Sequence, residues 1–408
     1  MKEALKKAFE KIKPSKQEEL EVKKISKQIL NKIKIKNVKP VLGGSGEKGT
    51  WLRETHDIDI YVKFDPKKYE NDDISQILKK ALKKAFKKVD TLHGSRDYYR
   101  VYKEGYTIEI VPILNIKKVT EAKNITDVSP FHADWVKKHG KGDQIRLAKA
   151  FCRAQDCYGA ESYIQGFSGY VLEILVIHYG SFERFVKNVA KWKPKEFIDP
   201  EKHGVKLNKA KTYSPLILID PVQSDRNAAA ALSKEKYNKL IRAAQKFLQQ
   251  PSIEAFEKKE ITLEDLKKKA KDKTLILLEV KPLRGKEDVI GAKLVKALEY
   301  LRRQLIFEDF KVYDYGWKWG KKTLFWLILG QEELPEFKEH QGPKIEQKRH
   351  VENFKQKNKN YEIYEKNGRV YAKIPRTYRK PEGLIKKLID DENFKNKVSG
   401  VKVFQEIP

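Results

Sequence analysis

The chain reads as an α+β multidomain protein: an N-terminal mixed sheet with helices, a helical central part, and a small C-terminal α+β part with a helical tail. Three observations predict it. At 408 residues the chain is too long for one core and suggests about two to four domains. Its apolar residues alternate between helical and extended periods over the first 120 positions, then keep the helical period almost alone from 130 to 250. After the break at Pro251-Ser252 strands and helices mix again.

Taken in order, residues 17–35 place Val22, Ile25, Ile29 and Ile33 at helical spacing, an amphipathic helix that feeds the strand VKPVL. The glycine-rich GGSGEKGT (Gly43 to Thr50), a short turn containing TWLRE and the alternating strand DIDIYVKF (Asp57 to Phe64) follow. A basic helix, DISQILKKALKKAFKKV, then leads to two strands, DYYRVYK and YTIEIVPIL. GDQIRLAKAFCRA, SGYVLEILVIHYGSFERFVKNVAKW and SKEKYNKLIRAAQKFLQ are helical in period. Beyond them KTLILLEVKPL, a helix from about 290 to 306, FKVYDYGWKWGKKTLFWLILG and RVYAKIP predict a small α+β domain. The polar, basic segment around 336–361 reads as an inserted helical extension. The expected domains are 1–120, 121–252, 253–333 together with 362–408, and the extension 334–361, with no internal repeat.

Lys and Arg number 87 against 57 Asp and Glu, a net charge of +30 with a pI near 9.6. Such a surplus repels itself unless a polyanion is the partner, nucleic acid first and an anionic membrane second. The membrane fares worse, because no apolar run approaches the roughly 20 residues a spanning helix needs. The opening MKEALKKAFEKIKPSKQEEL is charged throughout, lacks the apolar centre of a secretion signal, and reads as a short surface helix. Cys152 and Cys157, five apart, match no zinc spacing and read as small buried residues in a reduced, cytoplasmic setting.

A P-loop requires Gly-x4-Gly-Lys-Ser/Thr. Gly44 and Gly49 have the spacing, but Thr50 stands where the lysine should be, and no long helix follows. The chemistry points instead to the next strand. Asp57 and Asp59 are two apart, so both project to one face, about 7 Å apart, while Ile58 and Ile60 project to the other. Glu109 repeats the arrangement between Ile108 and Ile110. Three carboxylates on one face repel unless a cation sits among them. Hard oxygen ligands with open positions suit Mg²⁺, and two such ions activate an attacking hydroxyl and neutralise a leaving pyrophosphate. Gly43, Gly44 and Ser45 offer backbone N–H groups and a hydroxyl to a triphosphate. That chemistry is nucleotidyl transfer.

GGSGEKGTWL…DIDIYVKF with IEIVP resembles the polymerase-β-type nucleotidyltransferase signature. FHADWV, IRLAKAF, CYGAE, GFSGYVLEILVIHYGSF, IDPVQSDRNAAAAL and HVENF are similar to the class I (archaeal-type) CCA-adding enzymes, the tRNA nucleotidyltransferases. The resemblance runs over nearly the whole chain, with two departures: Lys48 where arginine is more frequent, and Glu109 where aspartate is common. It implies that Gly44, Ser45, Lys48, His132, Lys149 and Tyr158 bind the nucleotide and that Arg226 lies beside the incoming base. Read from the residues alone, the favoured reading is that His132 caps a helix and Tyr158 belongs to a core.

The implied activity adds C, C and A, without a template, to the 3′ end of immature tRNA from CTP and ATP. The implied partner is the acceptor and T-arm region of tRNA, and dimers are known for the family. Lys344, Lys348, Arg349 and His350 are either a solvated face or a grip on the RNA backbone, and the net charge favours the grip. The alternatives are a poly(A) polymerase or another RNA terminal nucleotidyltransferase, and a non-catalytic RNA-binding protein. Intact Asp57, Asp59, Glu109 and Ser45 speak against the last.

Overall fold

A computed structural model describes residues 1–320, 322–330 and 333–407, the last four as backbone only. Lys321, Gln331, Glu332 and Pro408, which the expected C-terminal domain includes, lie outside the described residues. Two compact units emerge, 1–259 and 260–408.

The first unit opens with α1 (Lys2–Ile12) and α2 (Lys16–Lys32). Ser15 and Glu18 form a reciprocal capping box that starts α2 right after Pro14. The chain continues through β1 (Val38–Leu42), α3 (Gly44–Lys48), β2 (Asp57–Phe64), α4 (Ile74–Ala85), β3 (Asp90–Leu92), β4 (Tyr98–Lys103) and β5 (Tyr106–Leu114). The five strands form one mixed sheet in the order β1-β2-β5-β4-β3, in which only β2 and β5 run parallel. Ile58, Ile60, Ile108 and Ile110 pack beneath Ile25, Ile29, Leu78 and Leu82, so α2 and α4 cover one face of the sheet. The carboxylates of β2 and β5 are left on the other. The glycine loop, expected as irregular, is itself one helical turn, and β3 is too short to show in the periodicity.

A helical layer follows: α5 (Ser129–His139), α6 (Gly142–Ala154), α7 (Gly169–Tyr179), α8 (Phe182–Val189) and α9 (Lys234–Gln249), with the short strands β6 (Glu196–Ile198) and β7 (Leu216–Leu218). Gly180, in the left-handed region at φ 84°, ends α7 and splits the long apolar stretch into two helices. Phe151, Phe182, Phe247 and Phe256 meet in the core of this layer, and Leu5, Phe9 and Ile12 of α1 pack against that core. The N-terminal helix is thus docked on the helical layer rather than lying free on the surface. Both cysteines are buried and unpaired.

The second unit contains α10 (Leu263–Ala270), β8 (Thr274–Lys281), α11 (Glu287–Phe307), β9 (Val312–Lys318), β10 (Thr323–Leu329), β11 (Phe337–Lys344), α12 (Lys348–Lys357), β12 (Glu362–Lys366), β13 (Arg369–Pro375), α13 (Pro381–Asp390), α14 (Glu392–Lys395) and β14 (Gly400–Ile407). Its main sheet has the order β14-β8-β10-β9. Strands β8 and β10 are apolar on both faces because α11, α13 and α14 cover one side and α10 the other. The segment 334–361, expected as a helical extension, is a strand and then a helix. Strand β11 pairs with β13 in the second sheet, β11-β13-β12. It is an edge strand exposed along most of its length, so it carries none of the apolar alternation that marks a strand. No described helix is long and apolar enough to cross a membrane.

Candidate active site

The parallel pairing of β2 with β5 sets Asp59 directly beside Glu109, and Asp57 beside Thr107. Register alone therefore brings two carboxylates from positions 50 apart onto neighbouring strands, about 5 Å between backbones. The glycine loop closes over them. Gly43 N–H donates to the Asp59 carbonyl at 2.8 Å, and the Ser45 N–H donates to the Asp59 carboxylate. A Cβ on Gly44, at φ +54°, would stand 1.7 Å from Asp59 Oδ2, so no other residue fits. Burial pushes the Asp59 carboxyl up, the Glu109 and Asp57 charges push it further, and Lys48 and the Ser45 N–H oppose them; the result is a pKa of about 6.

Glu109 also faces β4. It is paired in register with Arg100, whose guanidinium reaches it at 2.6 Å. Among the described residues, no three His, Cys, Asp or Glu side chains are closed up as a finished ligand set. The row of Asp57, Asp59 and Glu109 still fits a hard divalent cation in its donor chemistry, since ionised Asp59 has more negative than positive neighbours. Glu109 would complete such a set on leaving Arg100.

Behind the loop lies a fourth carboxylate, which the sequence pattern did not single out. Glu173 of α7 accepts from Lys48 Nζ at 2.8 Å through Oε2, and from Lys149 Nζ at 2.7 Å and Thr50 Oγ1 at 2.9 Å through Oε1. Lys149 Nζ also lies 2.9 Å from Thr50 Oγ1 and 3.4 Å from the Thr50 carbonyl. Burial alone would raise the Glu173 carboxyl, but Lys149 and Lys48 outweigh it and hold it at about 2. Tyr158 is packed against the helical core with the Arg153 guanidinium 4.9 Å over its ring. A Cβ on Gly169 would lie 3.0 Å from Tyr158 Oη and 3.5 Å from Lys149 Nζ, so a glycine there lets both side chains pack close against α7.

A third group brings the expected His132 and Arg226 together around Asp220, which has no exposed surface. Its Oδ1 accepts from Tyr170 Oη at 3.0 Å and from the Val222 N–H at 2.9 Å, and its Oδ2 accepts from Arg226 at 2.6 Å. His132 lies inside α5 rather than capping it, stacked on Tyr170 with ring centroids 4.2 Å apart. Its Nε2 stands 3.2 Å from Asp220 Oδ2, within ion-pair reach but without the alignment of a hydrogen bond. Burial opposes ionisation of Asp220, yet His132, the Val222 N–H and Arg226 hold its carboxyl at about 2. Tyr170 joins the second and third groups, because Lys48 Nζ lies 5.4 Å over its ring.

One unused signal could have found Glu173: a single carboxylate inside VLEILV has no route to water and must find a cation. Nothing comparable marked Tyr170 or Arg100. Lys344, Lys348, Arg349 and His350 belong to the second unit, where all four are exposed, Lys344 at the end of β11 and the others in the first turn of α12.

Family models match along the chain: a nucleotidyltransferase domain over 22–128, the second domain of tRNA nucleotidyltransferases over 143–257, and the C-terminal domain of CCA-adding enzymes over 274–407. The CCA-adding enzyme of Nanoarchaeum equitans is 39% identical over 312 residues, covering 74% of this chain and 76% of its own length. That of Methanosarcina barkeri is 32% identical over 367 residues, covering 86% and 80%. Among solved structures, the Cid1 poly(U) polymerase bound to MgATP matches at a TM-score of 0.51 and 15% identity, over 62% of this chain and 98% of that one, a likeness of fold alone. With relatives of one kind matched over most of its length, this chain belongs to the CCA-adding enzymes, the archaeal-type tRNA nucleotidyltransferases.

Proposed function

We propose that the groups around Asp59 carry out the addition of C, C and A to the 3′ end of immature tRNA, using CTP and ATP and no nucleic-acid template. The observation that carries this reading is the in-register pair Asp59 and Glu109 beneath a glycine loop that only Gly44 can close. In each addition the RNA 3′ oxygen forms a bond to the α-phosphorus, the bond from that phosphorus to the bridging oxygen breaks, and pyrophosphate leaves. Magnesium, as two ions held by Asp57, Asp59 and Glu109, would supply Lewis-acid activation of the hydroxyl and charge neutralisation of the pyrophosphate.

The chain's own groups supply the rest. Lys48 and Lys149 place positive charge behind the glycine loop for the triphosphate, and Ser45 and Tyr158 add hydroxyl donors. His132 and Arg226, both held by Asp220, face the sugar and base. The exposed Lys344, Lys348, Arg349 and His350 meet RNA phosphates in the acceptor and T-arm region, in keeping with a net charge of +30. On this reading the expected parts 1–120 and 121–252 supply catalysis and nucleotide selection, and the remainder holds the RNA. A homodimer and a cytoplasmic setting belong to the same proposal.

A poly(A) polymerase is not favoured, because the relatives matched along the chain are CCA-adding enzymes. The direct test incubates purified protein with tRNA lacking its last three nucleotides and with both CTP and ATP, one of them labelled. Addition that stops after three nucleotides supports the reading, a long homopolymer tail would favour the polymerase, and no incorporation would leave an RNA-binding protein.

A further inference from the structure

We propose that Glu173 is a positioning residue for the triphosphate: one buried carboxylate that fixes Lys48 and Lys149 side by side and leaves the pair with one surplus positive charge. The inference rests on the reading of these lysines as the positive charge that meets the triphosphate. The two come from different layers, Lys48 from the glycine loop on β2's open face and Lys149 from α6, and each takes a separate oxygen of Glu173. Their side chains are 13% and 5% exposed and that of Glu173 1%, so water does little to separate the two ammonium groups. Without the carboxylate they would repel each other, and each side chain would take up a different rotamer or lose its proton. Thr50 completes the clamp by donating to Glu173 Oε1 while lying 2.9 Å from Lys149 Nζ.

The arrangement divides the work between the lysines. Lys149 has three acceptors around its ammonium, Glu173 Oε1 and both oxygens of Thr50, which match its three N–H donors. Lys48 has one hydrogen bond among the described residues, to Glu173, and so retains donors for phosphate oxygens. A buried ion pair is by itself poor evidence of a stabilising role, since apolar side chains of similar volume often do as well. One carboxylate shared by two cations from two layers, with the surplus charge beside Asp59, is what recognition of a polyanion requires.

The test compares the full-length protein with its Glu173→Gln variant, using inorganic tripolyphosphate and cytidine as competitive inhibitors of CTP incorporation. Losing the charge-assisted bonds is expected to weaken tripolyphosphate roughly ten- to hundredfold, with a matching rise in KM for CTP and ATP. Inhibition by cytidine and affinity for tRNA stay near wild type. Where the glutamine variant does not fold, Glu173→Asp carries the same comparison, because its shorter arm cannot span both lysines. Equal losses for tripolyphosphate and cytidine, or no loss for either, would overturn the proposal and leave Glu173 a structural pin. Lys48→Met separates the layers of the argument: if it leaves tripolyphosphate unaffected, the reading of the lysines falls and the proposal with it. If it weakens tripolyphosphate while Glu173→Gln does not, only the proposal falls.

Discussion

Asp220, with no exposed surface, holds the Arg226 guanidinium at 2.6 Å, and a hydroxyl and two backbone N–H groups fix the carboxylate in turn. One amino group of the guanidinium is therefore committed to the protein, while the side chain as a whole remains 34% exposed. Arginine has five donors and no acceptor. Cytosine offers O2 and N3, and adenine its ring nitrogens, as acceptors, whereas uracil and guanine present an N–H on the pairing edge. Meeting donor with donor in a buried site costs about 1–3 kcal/mol, or roughly 5- to 150-fold in selection. Arg226→Ala is expected to lower use of both CTP and ATP and to relax rejection of UTP. Asp220→Asn should shift selectivity the same way by releasing the guanidinium. Steady-state kinetics with all four nucleotides decide it, and unchanged rejection of UTP in both variants would show that another group reads the base.

Gly44 and Gly49 both have positive φ, +54° and +63°, but they differ in their surroundings. A Cβ at Gly44 collides with the Asp59 carboxylate, while at Gly49 it meets nothing within 4 Å. Gly49→Ala should therefore cost only the backbone term, about 1–2 kcal/mol, and keep its activity. Gly44→Ala must also displace Asp59 and should lose incorporation of CTP and ATP together. Melting temperatures and initial rates of the two variants, measured side by side, check this. An active Gly44→Ala protein would mean that the loop is not held against Asp59 in solution.

Recognition of RNA through phosphates predicts affinity that falls steeply with salt, because each neutralised phosphate releases counterion. Alanine at Lys344, Lys348 or Arg349 should weaken tRNA binding regardless of sequence and lower the salt slope by about one for each phosphate the variant no longer neutralises. A minihelix of acceptor and T stems should serve almost as well as full-length tRNA. Binding titrations at several salt concentrations measure the first, and labelled-nucleotide addition measures the second. An inert minihelix would place the RNA-binding footprint elsewhere.

The acidic row was legible because a strand's period of two is local: Asp57, Asp59 and the isoleucines at 58 and 60 carry it in four residues. Its neighbours were not, because register is a long-range property. Nothing near Glu109 in the sequence says that Asp59 lies on one side of it and Arg100 on the other. Glu173 and Asp220 were obscured for a related reason. Glu173 sits in a stretch whose apolar pattern already predicted its helix, and its partners Lys48 and Lys149 arrive from other parts of the chain. Asp220 has Arg226 six residues away, but His132 and Tyr170 reach it only through the fold. The edge strand β11 failed in the opposite sense, since exposure removed the alternation that would have marked it.

Asp59 carries a testable cost of its own. Its carboxyl is raised from the usual 3.8 to about 6 by burial and by the Glu109 and Asp57 charges. Between those values the native chain holds the proton more tightly than the unfolded chain. This group's contribution to stability is therefore fully present below pH 4, declines as pH rises, and has become a penalty above pH 6. Its size is on the order of 3 kcal/mol from a shift of about two units. Asp59→Asn removes the charge while keeping the shape, so in metal-free solution at pH 7.5 it should melt higher than the wild type, with the difference shrinking toward pH 4. Magnesium should close the same gap from the other side, raising the wild-type melting temperature at pH 7.5 and leaving the variant unmoved. The variant, like Asp57→Ala, should lose incorporation of CTP and ATP by roughly a thousandfold or more, with tRNA binding nearly intact. Thermal melts over pH 4–8, with and without magnesium, are the measurement. A variant no more stable than wild type at pH 7.5, or one that still adds nucleotides at a substantial rate, would remove Asp59 from the centre of the site.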